Sequence, residues 1–174
     1  MKVLIAYGTT EGQTGKIVEA IAEQVRGLSH EAVLFDTSSP RSDLEAGTFD
    51  RIIVAGSVHE ERHQEAVEVF VLVHRADLNA KPTLFLSVSL AAAFEDKSAD
   101  AQRYVDMFLE RVNWRPATIL LVAGAVRHAE YDYYREQILA HVVLEGRDLD
   151  APEDDQEFTD WDALAKAVEA FMAA

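Results

Sequence analysis

Gly8, Thr9, Thr10, Glu11, Gly12, Gln13 and Thr14 are the residues whose types and spacing best suit chemistry. The apolar run Val3, Leu4, Ile5, Ala6 and Tyr7 precedes them, and a segment with helical periodicity follows. A loop rich in Gly and Thr between a strand and a helix start is a place to hold a phosphate. The helix N-terminus offers unpaired N–H groups and the positive end of its dipole. Gly12 lets the backbone turn where a Cβ would clash, and Thr9, Thr10 and Thr14 add hydroxyl donors. No Lys lies within the loop, so it is not the GxxxxGK(S/T) nucleotide loop, and the GxGxxG dinucleotide pattern is absent too. What remains is a loop suited to binding phosphate through neutral donors. The alternative is an ordinary turn with Gln13 or Thr14 near a helix cap.

The elements that must position this loop are read from periodicity. Residues 2–7 form a continuous apolar run, as a buried parallel strand requires. From residue 14 to about residue 28, Ile17, Val18, Ile21, Val25 and Leu28 fall on one helical face. Further strands are expected at 32–36, 49–56, 83–88 and 118–123, with a short helical turn near 43–46 and helices at 66–76, 100–112 and 161–172. Thr159 or Asp160 suits the cap of the last helix. Five strands alternating with helices give an α/β, doubly wound parallel sheet. Ligands of such sheets sit at the C-terminal strand ends. That directs attention to Ser57, Val58, His59 and Glu60 after the third strand, to Ser89, Leu90, Ala91 and Ala92 after the fourth, and to Gly124 after the fifth. Residues 126–158 form an excursion before the last helix, with 131–144 suited to a helix and 147–157 strongly acidic. A connection of that length is usually functional or without fixed structure.

The 174 residues suit a single domain spanning 1–174, and 49% apolar content suffices for a core. The chain has no cysteine, which excludes disulfides, thiolate metal sites, iron–sulfur clusters and a Cys nucleophile. Net charge is −15, so nucleic acid would be repelled as a partner. The acidity suits either adaptation to high salt or an electron carrier that docks on basic partners. No apolar run is long enough to span a membrane, and the expectation is a cytoplasmic protein with at most peripheral membrane contact.

Thr9, Thr10, Glu11, Gly12, Gln13 and Thr14 resemble the T/S-x-T-G-x-T phosphate loop of flavodoxins, which holds the 5′-phosphate of FMN. Glu11 departs from that pattern, standing where a flavodoxin usually has Thr. Two like charges about 4 Å apart repel by roughly 4 kcal/mol at an effective dielectric of 20, so Glu11 is expected to turn its carboxylate away and offer only its N–H.

Further stretches resemble one subgroup of that fold, the menaquinone-dependent protoporphyrinogen IX dehydrogenases. They are Ala55-Gly56-Ser57-Val58, Ser87-Val88-Ser89-Leu90, Trp114-Arg115-Pro116, Ala123-Gly124-Ala125-Val126-Arg127 and Phe158-Thr159-Asp160-Trp161. The resemblance implies a flavodoxin-like sandwich with strand order 2-1-3-4-5 and the excursion as the family's insert. It also implies FMN as cofactor, with the flavin ring against the loops at Ser57–Glu60 and Ser89–Ala92, a tetrapyrrole as substrate and a quinone as acceptor. The flavin carries the redox chemistry, and the protein positions it and tunes it. Arg127 is the candidate partner for a substrate carboxylate, since a guanidinium pairs bidentately with one, and Tyr131, Tyr133 and Tyr134 are candidates to flank a flat substrate. The loop after the third strand departs from the family, which tends to carry Arg and Tyr where this chain has His59, Glu60, Glu61, Arg62 and His63. The acidic insert would be repelled by an anionic bilayer.

His59 and His63 are read as surface or flavin-edge groups rather than a metal pair, and no metal site is expected. Trp114 and Trp161 are read as core. Two other functions stay open beside the dehydrogenase: a flavodoxin-type FMN electron-transfer protein acting on a redox-protein partner, and a flavodoxin-fold module that binds without a cofactor.

Overall fold

In a computed structural model, which describes residues 1–40, 44–126 and 156–174, the chain builds one parallel sheet between two helical layers. The elements run β1 (Lys2–Gly8), α1 (Gln13–Gly27), β2 (Glu31–Asp36), β3 (Arg51–His59), β4 (Arg62–His63), α2 (Glu65–Ala80), β5 (Thr83–Ser89), α3 (Ser98–Val112), β6 (Thr118–Ala123), β7 (Ala125–Val126), β8 (Gln156–Glu157) and α4 (Trp161–Ala173). The parallel strands are ordered β2-β1-β3-β5-β6, the order expected for five strands. A three-residue 3-10 turn, Ala46–Thr48, lies on the β2–β3 connection, just beyond the turn expected at 43–46.

Each central strand sends alternate side chains to opposite faces. Val3, Ile5, Ile53, Leu84 and Leu86 pack against Ile17, Ile21, Leu164 and Val168 from α1 and α4. Leu4, Ile52, Val54 and Phe85 pack against Val67, Val71, Val105 and Phe108 from α2 and α3. With both faces covered, the strands read as unbroken apolar runs, which is why their periodicity was legible. Trp114, 1% exposed, belongs to the second cluster, and Trp161 packs partly buried against the first. Asp160 caps α4, its carboxylate accepting from the Ala163 N–H.

The third strand differs from expectation. It runs on through Ser57, Val58 and His59, which the sequence placed in a loop, and then reverses. Val58 pairs with His63 and His59 with Arg62, antiparallel. The turn between them is Glu60-Glu61, with φ +48° and +63°. Two consecutive left-handed residues are what a two-residue hairpin needs, and Asn-Gly is the sequence that normally supplies them. A non-glycine residue held there costs roughly 1–2 kcal/mol. Combining Glu60→Asn with Glu61→Gly is therefore expected to stabilise the chain by about 1 kcal/mol, after allowing for the added unfolded-state freedom of glycine. Loss of the exposed Glu61–Arg103 pair, 3.4 Å apart, subtracts little. The urea midpoint at constant m-value checks this.

Candidate functional site

Strand register brings the candidate residues to one end of the sheet. Gly8 is level with Gly56, Gly56 with Ser87, Ser57 with Val88, and Ser89 with Ala123. The β1–α1 loop emerges there. Gly12 has φ +86° and occupies the N-cap of α1, where no side chain caps the helix and no acidic residue stands in its first turn. A Cβ built at Gly12 would meet nothing within 4 Å, so the space beside the turn is open. The Gly12 N–H donates to Thr9 Oγ1 at 3.0 Å, which closes the loop on itself. Thr14 is 1% exposed, and its hydroxyl is buried without a partner. An uncapped helix N-terminus over open space, with an orphaned buried hydroxyl beside it, has the donors a phosphate requires.

Both flanks of this loop are fastened. On one side the buried Gln13 donates from Nε2 to Thr159 Oγ1 at 2.9 Å, and Thr159 donates to the Ala123 carbonyl at 2.7 Å. That chain joins the loop to the end of β6 and the entry to α4. Lys16, in the first turn of α1, faces away toward Glu157 and lies over the Trp161 ring, 5.2 Å from its centroid. The Lys16 hydrogen bond holds the Glu157 carboxyl below the usual range.

On the other side Gln64 donates to Thr10 Oγ1 at 3.1 Å and also to Ser57 Oγ. Glycine makes this approach possible, since a Cβ on Gly8 would sit 2.5 Å from Val67 Cγ2 and 3.2 Å from Gln64 Oε1. Glu11 turns toward the hairpin, with Oε1 3.9 Å from His59 Nδ1, while Glu60 Oε1 lies 3.9 Å from His59 Nε2. Glu60 itself is exposed at the hairpin tip.

The remaining rim is held by backbone. Ser89 Oγ accepts the Ala92 N–H at 3.2 Å, within a 3-10 turn at Ala91–Ala93, and Leu90 enters that turn. The Gly124 N–H donates to the Ser89 carbonyl at 3.1 Å, and the Phe158 N–H donates to the Gly124 carbonyl at 3.0 Å. Phe94 and Phe158 meet edge to face at 5.5 Å. Pairing of β7 with β8 draws together the two ends of the excursion, Ala125 with Glu157 and Val126 with Gln156. Arg127, Tyr131, Tyr133 and Tyr134 lie outside the described residues.

His63 corrects the sequence reading. It is neither a surface nor an edge group but 3% exposed, with Nε2 2.9 Å from Ser87 Oγ. Its ring lies 4.7 Å from Phe108 and 5.4 Å from Phe85, centroid to centroid. Burial, reinforced by the Arg111 guanidinium, lowers its pKa to about 4, so it is neutral near pH 7. Strand alternation accounts for its position: inside a two-residue strand, one of Arg62 and His63 must face the core. Among the described residues no group of three or more His, Cys, Asp or Glu side chains is arranged to hold a metal, and no helix is long and apolar enough to cross a membrane.

Gln64, Thr159 and Ser87 are the positioning residues that sequence reasoning missed. Gln64 directly follows a strand of two residues, too short to show periodicity. In the sequence Thr159 reads as a helix cap and Ser87 as part of a strand, each within a family-like stretch, and neither pattern announces the hydrogen bonds they make.

The family model described as flavodoxin domain matches residues 4–150. The chain is 29% identical over 167 residues to a protoporphyrinogen IX dehydrogenase (quinone) of Escherichia coli K12, covering 95% of this chain and 91% of that protein. A second enzyme of that name, from Leishmania major, is 26% identical over 99% of this chain and 75% of its own. Among solved structures, a flavodoxin from Pseudomonas aeruginosa superposes with a TM-score of 0.56 at 15% identity, covering 99% of both chains.

Proposed function

The chain belongs to the flavodoxin-domain family, and from that premise we propose that it holds FMN at the C-terminal strand ends and acts as a protoporphyrinogen IX dehydrogenase that passes electrons to a quinone. The observation that carries the cofactor is the uncapped start of α1 beside the orphaned Thr14 hydroxyl. The curated relatives that span nearly the whole chain support the reaction.

In this reading Thr9, Thr10, Glu11, Gly12, Gln13 and Thr14 hold the phosphate, through backbone N–H groups and the threonine hydroxyls. Gln64 holds Thr10 and Ser57 in fixed relation, so that the phosphate loop and the hairpin move as one. Ser57, Val58, His59 and Glu60 on one side, and Ser89, Leu90, Ala91, Ala92 and Gly124 on the other, bound the space for the flavin ring. Bound FMN would supply the redox chemistry linking the tetrapyrrole to the quinone. The Gly124–Ser89 backbone bond ties the end of β6 to the end of β5, and the paired strands β7 and β8 fix where the excursion enters and leaves. Arg127, one residue past β7, is the proposed partner of a substrate carboxylate.

The reading predicts that protein mixed with FMN and freed of excess keeps an oxidised-flavin spectrum and oxidises protoporphyrinogen IX when a quinone is supplied. Thr14→Val is expected to weaken FMN binding roughly ten- to hundredfold, the worth of a hydrogen bond to a charged group. It should leave the stability of the flavin-free protein unchanged or slightly raised, because the hydroxyl has no partner there. A colourless protein, or a Thr14→Val variant that binds FMN as tightly as the parent, would remove the basis of the proposal. The net charge of −15 favours a second reading, an electron carrier for a basic redox partner. Retained FMN without quinone-linked turnover would select it.

A further inference from the structure

The outer face of α2 is unlike that of α1. A helix on the surface of a globular chain turns charged and polar residues to water. In α1 the exposed positions are Lys16, Glu19, Glu23, Arg26 and Gly27. In α2 one exposed stripe is made of Glu65, Val69, Leu72, Val73, Ala76 and Ala80. Val69, Leu72 and Val73 are 50%, 48% and 69% exposed, three of the seven large apolar side chains that stand exposed among the described residues. The exposed Arg75 of this helix is turned aside, to the Val112 carbonyl of α3 at 3.5 Å. Apolar ground continues past the helix, where a hollow of about 540 Å³ runs from Val69 and Val73 to Phe35 and Leu44. A chain of net charge −15 thus keeps one stripe almost free of charge. A contiguous exposed apolar patch of this kind marks a contact surface.

The stripe is complementary to itself. Its positions are symmetric about the Leu72–Val73 peptide bond. A second copy laid antiparallel therefore sets Leu72 against Val73, the bulkier Val69 against the small Ala76, and Glu65 against Ala80, each contact made twice as two-fold symmetry requires. The two ends of the helix carry opposite charge. Glu65 opens it and Lys81 caps it. At the helical rise per residue they lie about 11 Å before and about 13 Å after the midpoint. Antiparallel packing brings each Glu65 to the Lys81 of the other copy.

We propose that the α2 stripe is the contact between two copies of this chain, packed antiparallel about a two-fold axis beside Leu72 and Val73. Other occupants lack a counterpart here. A basic partner calls for carboxylates across the contact, and the stripe offers Glu65 alone. A helix that lies on a lipid surface carries Lys and Arg along its opposite, solvated face. The opposite face of α2 is instead buried on the sheet through Val67, Phe70, Val71 and Leu78. The inference does not depend on the FMN reading above.

The test is the mass of the full chain in solution, read by sedimentation with and without FMN. A dimer is expected, and it should tighten as salt rises, because screening weakens the repulsion between two copies that each carry −15. Val73→Glu and Leu72→Glu should each weaken it roughly thirtyfold or more, the loss typical of a central contact residue. Both positions are exposed, so the circular dichroism of these variants should match the parent. The absence of cysteine from the chain lets crosslinking read the arrangement without background. Val69→Cys and Ala76→Cys should each stay unlinked alone, and should form a disulfide-joined pair when mixed and oxidised. A monomer at every concentration and salt, or a dimer that survives both Glu substitutions, would overturn the proposal. Val69→Cys linking to itself, as parallel helices would bring about, overturns it as well.

Discussion

Arg111→Met is expected to cost about 3 kcal/mol of stability, and Glu68→Leu about 1 kcal/mol or less, although both remove the same ion pair. The asymmetry comes from where the charges sit. Glu68, on α2, is a buried carboxylate, 7% exposed. It accepts from Arg111 of α3, and Arg62 Nη2 of the hairpin stands 3.4 Å from each of its oxygens. The Arg111 and Arg62 side chains are 33% and 60% exposed. Removing Arg111 leaves the buried carboxylate with Arg62 alone, 3.4 Å away on a side chain 60% exposed, and the desolvation already incurred is less fully offset. Removing Glu68 instead frees two partly exposed guanidiniums that can turn into water, while Leu keeps a side chain of similar size at the buried position. Urea unfolding of both flavin-free variants at pH 7 checks the order, and equal losses would mean that Glu68 reaches solvent. The same cluster bears on the site. Arg62 pairs with His59 in the hairpin ladder, so Glu68 fastens the ledge proposed to face the flavin ring to the two helices behind it. Glu68→Leu should therefore loosen FMN binding more than its small stability cost suggests.

The sheet and the phosphate loop were readable in the sequence for one reason. Buried parallel strands must be continuous apolar runs, and Val3-Leu4-Ile5-Ala6 and Ile52-Ile53-Val54-Ala55 are such runs, each followed directly by glycine or by residues that lead to one. Spacing of Thr9, Gly12 and Thr14 marked the loop itself. The hairpin was not readable. Its second strand has two residues, and its turn is Glu60-Glu61 rather than Asn-Gly, so neither periodicity nor turn chemistry announced it. Ser57, Val58 and His59 were accordingly placed in a loop, and His63 outside the core. Gln64 escaped for a related reason. Its role depends on the glycines at positions 8 and 56, far away in sequence, which leave room for the start of α2 to come close. Long-range clearance of this kind leaves no local pattern. Arg127 stays a proposal from resemblance, its surroundings lying outside the described residues.

Acid should destabilise the protein through His63, and His63→Phe should remove that sensitivity. The buried ring titrates at about 4 in the folded chain, against 6.5 for an ordinary histidine. Burial is the larger cause, and the positive charge of Arg111 adds to it. Because the folded value is the lower one, the unfolded chain binds the extra proton between these limits, and stability rises with pH across them. The contribution is fully present above about pH 6.5, falls away below it, and totals about 3 kcal/mol by about pH 4. Between about pH 7.5 and about pH 4.5 the parent is therefore expected to lose about 2.5 kcal/mol more than His63→Phe, with carboxylate titrations common to both cancelling in the difference. At neutral pH the variant should stand within about 1 kcal/mol of the parent. Phe suits a site already walled by Phe85 and Phe108 and dispenses with the partnerless Nδ1, but it leaves the Ser87 hydroxyl without its bond. Urea midpoints of the two flavin-free proteins at the two pH values provide the measurement. Equal losses would mean that His63 takes up its proton in the folded state, through a path to water that its 3% exposure argues against. A difference of the expected size would mean that His63 holds the hairpin in place only while neutral.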